Sequence, residues 1–73
     1  MSEKLKLCSG AEAVKKFNRA GWVVDRQKGS HVMLVKEGFA YTLSVPQHGE
    51  LGIGILKKLI KTAGLTIESF NRL

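Results

Sequence analysis

The chain has two histidines, and His31 is the better placed for chemistry: it closes the run Arg26-Gln27-Lys28-Gly29-Ser30-His31. An imidazole titrates near neutral pH, so it can take or give a proton there. Arg26 and Lys28 are side chains that bind a phosphate or stabilise charge developing on it. Gly29 lets a polymer backbone come close, and the Gly29 and Ser30 amides are candidate donors beside it. This set suits general-base attack of a 2′-hydroxyl on its neighbouring phosphorus. The plain alternative is a histidine at a strand start that faces water, and residue types alone leave both open. His48, near Glu50 in the segment Gln47-His48-Gly49-Glu50, is either an auxiliary acid or an exposed loop residue.

Other reaction classes find less support. No G-x-S-x-G elbow accompanies the serines, and no Gly-rich loop ends in a phosphate-binding lysine. The six acids, at Glu3, Glu12, Asp25, Glu37, Glu50 and Glu68, show no paired or metal-clamping spacing. No metal site and no cofactor is expected. The single cysteine, Cys8, has no partner for a disulfide and no zinc-ligand spacing; it reads as a small buried residue or a stray thiol, not a nucleophile.

The elements that must position His31 follow from periodicity. Ser9 and Glu12 have the S-x-x-E form of a capping box, and Ala13, Val14, Phe17 and Ala20 recur at helical spacing up to Gly21. A helix over about 10–20 is expected. Trp22–Gln27 reads as a strand, Lys28-Gly29-Ser30 as a turn, and His31–Lys36 as a second strand. After Glu37-Gly38, alternation puts Phe39, Tyr41, Leu43 and Val45 on one face of a third strand that Pro46 ends. Leu51, Ile55, Leu56, Leu59, Ile60 and Ala63 then form the apolar stripe of a second helix, with Lys57, Lys58 and Lys61 turned away and Gly52 and Gly54 weakening its start. Thr66 caps a short last turn in which Ile67 and Phe70 cover the core. The order α-β-β-β-α describes an α+β two-layer sandwich, a three-stranded antiparallel sheet with its helices on one face, as in double-stranded-RNA-binding domains. Residues 1–73 are one domain, with 1–8 a leader and 66–73 a helical tail.

Lys and Arg number 12 against 6 acids, a net charge of +6. A positive field on so small a body favours polyanionic partners. Lys57, Lys58 and Lys61 are either the solvated side of a helix or phosphate contacts. No segment reaches the roughly 18 apolar residues that span a bilayer, so a cytoplasmic protein with no membrane partner is expected. Besides a nuclease, these features fit a non-catalytic double-stranded-RNA-binding module, or a basic domain that docks an acidic protein.

Four pieces of the chain, between about Ser9 and Phe70, resemble the HicA-type mRNA interferase toxins, also called YcfA-like proteins. They are the opening helix ending in Ala20-Gly21-Trp22, the Arg26–His31 run, Val45-Pro46-Gln47-His48, and the basic Ile55–Leu65 segment. The resemblance implies a double-stranded-RNA-binding-like fold and an active-site histidine at the start of the second strand, here His31. It further implies endonucleolytic cleavage of mRNA independent of the ribosome, and neutralisation by a HicB-type antitoxin that covers the site. One departure stands out: the family usually carries Gly-Thr-Leu where the long helix begins, and this chain reads Gly52-Ile53-Gly54-Ile55-Leu56.

Overall fold

The structure, a computed structural model, describes residues 3–73. Its elements are α1 (Gly10–Arg19), β1 (Val23–Lys28), β2 (His31–Val35), β3 (Leu43–Pro46), α2 (Ile53–Thr62) and α3 (Ile67–Asn71). The three strands form one antiparallel sheet in the order β1-β2-β3, so the α+β order expected from the sequence is the one observed.

Each helix end has a local cause. The Ser9 hydroxyl accepts from the Glu12 amide at 3.1 Å, the serine half of the expected box. At the other end of α1, Gly21 N–H donates to Asn18 and Trp22 N–H to Phe17, the paired bonds of a Schellman motif. The same pair recurs after α2, where Gly64 donates to Lys61 and Leu65 to Ile60. Thr66 and Ser69 cap α3 reciprocally. α2 starts at Ile53 behind Gly52, which offers no side-chain cap, in keeping with the weak start its glycines imply.

One apolar cluster joins the layers. Val32 and Leu34 of β2 and Leu43 and Val45 of β3 point into it, against Ala13 and Phe17 of α1 and Leu56, Leu59 and Ile60 of α2. Phe70 closes the cluster, its ring 5.2 Å from that of Phe17, while Lys16 donates to the Phe70 carbonyl and lies over the same ring. Both long helices therefore cover one face of the sheet. The other face, carrying His31, Met33 and Val35 of β2, is left open.

Three expectations are corrected. The third strand begins at Leu43, not Phe39. Phe39 is drawn off the sheet to pack against Trp22, the rings tilted with centroids 5.1 Å apart, beneath Lys36, whose ammonium caps the Ala20 carbonyl at 2.8 Å. Residues 39–42 bend to allow this, leaving Tyr41 exposed. Ile55 belongs to no buried stripe; it sits at the flank of α2 and stays 45% exposed. Residues 3–8 are more than a leader. Leu5 and Cys8 are buried, and Asn71 binds Lys6 N–H, the Glu3 carboxylate and the Lys4 carbonyl.

Candidate active site

His31 opens β2 at the close of a two-residue hairpin loop, Gly29-Ser30, and pairs with Lys28. Gly29 has φ +59° while Ser30 keeps a negative φ, the pattern of a type II′ turn, whose backbone twist matches that of the flanking strands. A side chain at Gly29 would meet nothing within 4 Å, so glycine is needed there for its backbone angle, and the surface above the turn is open. On the other side His31 faces Pro46. Gln47 N–H donates to Ser30 O at 2.7 Å one step beyond, which makes His31–Pro46 a non-hydrogen-bonded pair with Cα atoms about 4.5 Å apart. Proline's missing N–H thus costs the ladder nothing at this position.

The register of β1 decides which basic residues share the His31 face. From Val23 to Lys28 the chain takes five steps, but its partners Val35 to His31 take four, and a bulge between Val24 and Arg26 absorbs the extra residue. Both ends are fixed independently: Trp22 is buried at the exit from α1, and the hairpin loop fixes Lys28 against His31. Because a one-residue shift exchanges the faces of a strand, an unbulged strand set by the Trp22 end would turn Asp25 and Gln27 toward His31. With the bulge, Arg26 lies opposite Met33 and Lys28 opposite His31, both on the open face. Asp25, the extra residue, contacts Arg26 at 3.8 Å with both side chains well exposed, a pair that holds Arg26 only weakly.

His48 lies two residues beyond Pro46. It stands outside β3, and its side chain is exposed. Its backbone is anchored: the His48 carbonyl accepts from Gly10 N–H at 3.0 Å, and Leu51 N–H donates to Cys8 O at 2.9 Å. Gly10 makes this approach possible, since a Cβ there would fall 2.0 Å from the Pro46 carbonyl oxygen.

The residues singled out in the sequence therefore divide. Arg26, Lys28, Gly29 and Ser30 gather around His31, while His48 lies beyond the end of β3. Lys58 and Lys61 line a separate groove between α2 and the chain leading into β3, and Lys57 is exposed on α2. Among the described residues no three His, Cys, Asp or Glu side chains come together as a metal site. Cys8 lies in the core, where burial pushes its thiol up from its ordinary value, against the pull of the nearby Lys16 ammonium. Sequence reading missed the bulge, although the odd spacing between Trp22 and the Gly-Ser turn was its one available sign.

A family model described as the HicA toxin of bacterial toxin-antitoxin matches residues 10–65. A solved structure titled as a toxin–antitoxin complex from Streptococcus pneumoniae contains a chain of similar fold. The two are 34% identical with a TM-score of 0.71, over 80% of this chain and 98% of that one. No curated protein matches the chain. No helix of the described residues is long and apolar enough to cross a membrane.

Proposed function

This chain belongs to the HicA toxin family of bacterial toxin–antitoxin systems, and from that premise we propose that it is an endoribonuclease that cuts mRNA without a metal, with His31 as its general base. The observation that carries the reading is the bulge in β1, which sets Arg26 and Lys28 on the one uncovered face of the sheet, beside His31. Neutral His31 takes the 2′-hydroxyl proton as that oxygen attacks phosphorus. The bond to the 5′-oxygen breaks, leaving a 2′,3′-cyclic phosphate and a free 5′-hydroxyl. Lys28, directly across from His31, and Arg26, one diagonal step away, offset the charge on the phosphorane. The Gly29 and Ser30 amides are further donors at the same turn. The departing 5′-oxygen takes its proton from His48 or from water. Base catalysis of this kind supplies about 10²- to 10⁴-fold, and a slow enzyme suffices where one cut inactivates a message.

The partner is an antitoxin of the HicB type, seated on the same open face. Val23 and Val35 are exposed there, apolar side chains on a functional face that a protein partner would cover. The similar Streptococcus chain was itself solved in a toxin–antitoxin complex.

His31→Ala tests the mechanism. Because His31 is exposed, the variant should fold and bind RNA as the parent does, yet lose cleavage and growth inhibition. Retained cleavage overturns the role of His31, and cleavage abolished by EDTA overturns the metal-free mechanism.

A further inference from the structure

A second cationic surface lies outside the His31 cluster. Tyr41 is 71% exposed, the most exposed large apolar side chain among the described residues. It lines a groove of about 450 Å³ with Lys58, Lys61 and Thr62. Lys58 and Thr62 also line an adjoining groove of about 250 Å³, floored by Leu43 and Leu59 and flanked by Ile55 and Ser44. The two form one trough along the free edge of β3. Its floor is apolar, its rim hydroxyl and cationic. α2 carries three lysines and no acid, and Lys58 and Lys61 pair with no carboxylate among the described residues.

We infer that this trough is a subsite for single-stranded RNA, in which Tyr41 stacks on a base while Lys58 and Lys61 hold the phosphates beside it; the inference rests on the reading of the chain as a ribonuclease. An aromatic platform bordered by cations is how a protein holds an unpaired strand, because every base has a face to stack on. Duplex RNA offers no such face, its bases being stacked already. A protein partner is less suited, since the buried centres of protein interfaces are depleted in lysine. The trough is also within reach of the cleavage site. Ser44 pairs with Met33, which makes it a diagonal neighbour of His31 at about 7–8 Å. Tyr41 lies five residues from Pro46, the partner of His31, at most about 17 Å along an extended chain. A strand cut at His31 would run round the edge of β3 and meet Tyr41 a few nucleotides away.

The test uses a fluorescein-labelled 12-nucleotide oligouridine with 2′-O-methyl groups, which cannot be cleaved by 2′-hydroxyl attack, and reads its affinity by anisotropy. Tyr41→Ala should weaken binding roughly 5- to 150-fold, the range expected for one lost base stack, while Tyr41→Phe stays close to the parent. Replacing Lys58 and Lys61 by alanine should reduce the slope of log affinity against log salt by about 1.4, two phosphates' worth for a single strand. Tyr41 is exposed, so circular dichroism should show an unchanged fold. Parent-like affinity in Tyr41→Ala overturns the subsite, and if that variant instead loses affinity for the antitoxin, the trough belongs to the protein partner. The two proposals fail separately. Cleavage by the parent with no Tyr41 effect on binding removes the subsite alone. A Tyr41 effect on binding, with no cleavage by the parent, removes the nuclease reading and leaves the subsite.

Discussion

Gly10→Ala is the substitution whose consequence can be worked most directly from the geometry. Gly10 opens α1, and a Cβ on it would lie 2.0 Å from the Pro46 carbonyl oxygen, 2.8 Å from Gln47 Cα and 2.9 Å from the Pro46 carbonyl carbon. All three are backbone atoms, so no side-chain rotation relieves the contact; either α1 or the Pro46–His48 segment must move by more than 1 Å to reach the ordinary 3.4 Å. Overpacking of this kind costs about 1–3 kcal/mol. Loss of the Gly10–His48 hydrogen bond adds about 1 kcal/mol. Alanine's better helix propensity returns at most about 1 kcal/mol. The net, about 1–3 kcal/mol, lowers Tm by roughly 4–24 °C in a domain of this size. Thermal unfolding followed by circular dichroism reads it, with Gly54→Ala as the control. A Cβ at Gly54 meets nothing within 4 Å, so that variant should gain up to about 1 kcal/mol. A Gly10→Ala protein as stable as the parent would refute the close approach of α1 to Pro46, and with it the anchoring of His48. If the approach is real, cleavage measured well below Tm should also fall, because the displaced residue is the strand partner of His31.

One further substitution and one labelling experiment probe the β1 bulge and the core. Asp25→Asn should leave stability within about 1 kcal/mol, since the exposed Asp25–Arg26 pair contributes little, but should tighten RNA binding and steepen its salt dependence by freeing Arg26; weaker RNA binding would contradict the placement of Arg26 on the binding face. Cys8 should resist iodoacetamide at pH 8 in the native protein and react readily in urea, because burial holds its thiol protonated. Its pKa is raised above the ordinary 9.0, so the stability this confers is fully present below that pH and is lost as pH rises through the higher folded value. Rapid native labelling, or no loss of stability under alkaline conditions, would show that the thiol is not buried.

What could be read from the sequence was what neighbouring residues decide among themselves. Ser9 and Thr66 sit where caps must be, and Gly29 with Ser30 has the chemistry of a tight hairpin. The misread elements are those settled by distant partners. Alternation at Phe39, Tyr41, Leu43 and Val45 suits a strand, yet Phe39 finds a better surface on Trp22, far away in sequence. Nothing local tells the two apart, because strand preference is largely a matter of what the side chain packs against. Ile55 falls at the margin of its helix's apolar arc, and whether it is buried depends on how far the sheet extends beneath it. Residues 3–8 gain their order from Asn71, near the other end of the chain. The bulge belongs to the same class, being the residue left over when Trp22 and the hairpin loop fix β1 from both ends. The His31 neighbourhood was legible as a cluster in sequence; that Arg26 and Lys28 share its face was not.

The position of His31 and the stability of the core are therefore one quantity. Slipping β2 by a single residue against its neighbours would turn His31 and Met33 inward and expose Val32 and Leu34, which now point into the core. Each such side chain is worth about 1.5–3 kcal/mol on burial, and an unpaired imidazole would also be forced out of water. The combined cost of roughly 4–8 kcal/mol is comparable to the whole stability expected of a domain this small. The slipped register is consequently unpopulated while the protein is folded at all, so His31 needs no hydrogen bond of its own to face outward. Substitutions in Val32, Leu34 or their partners Val45 and Leu43 should then lower activity only in proportion to the fraction unfolded. A core variant that stays fully folded but loses cleavage would show that the face of His31 is set by something other than the packing beneath it.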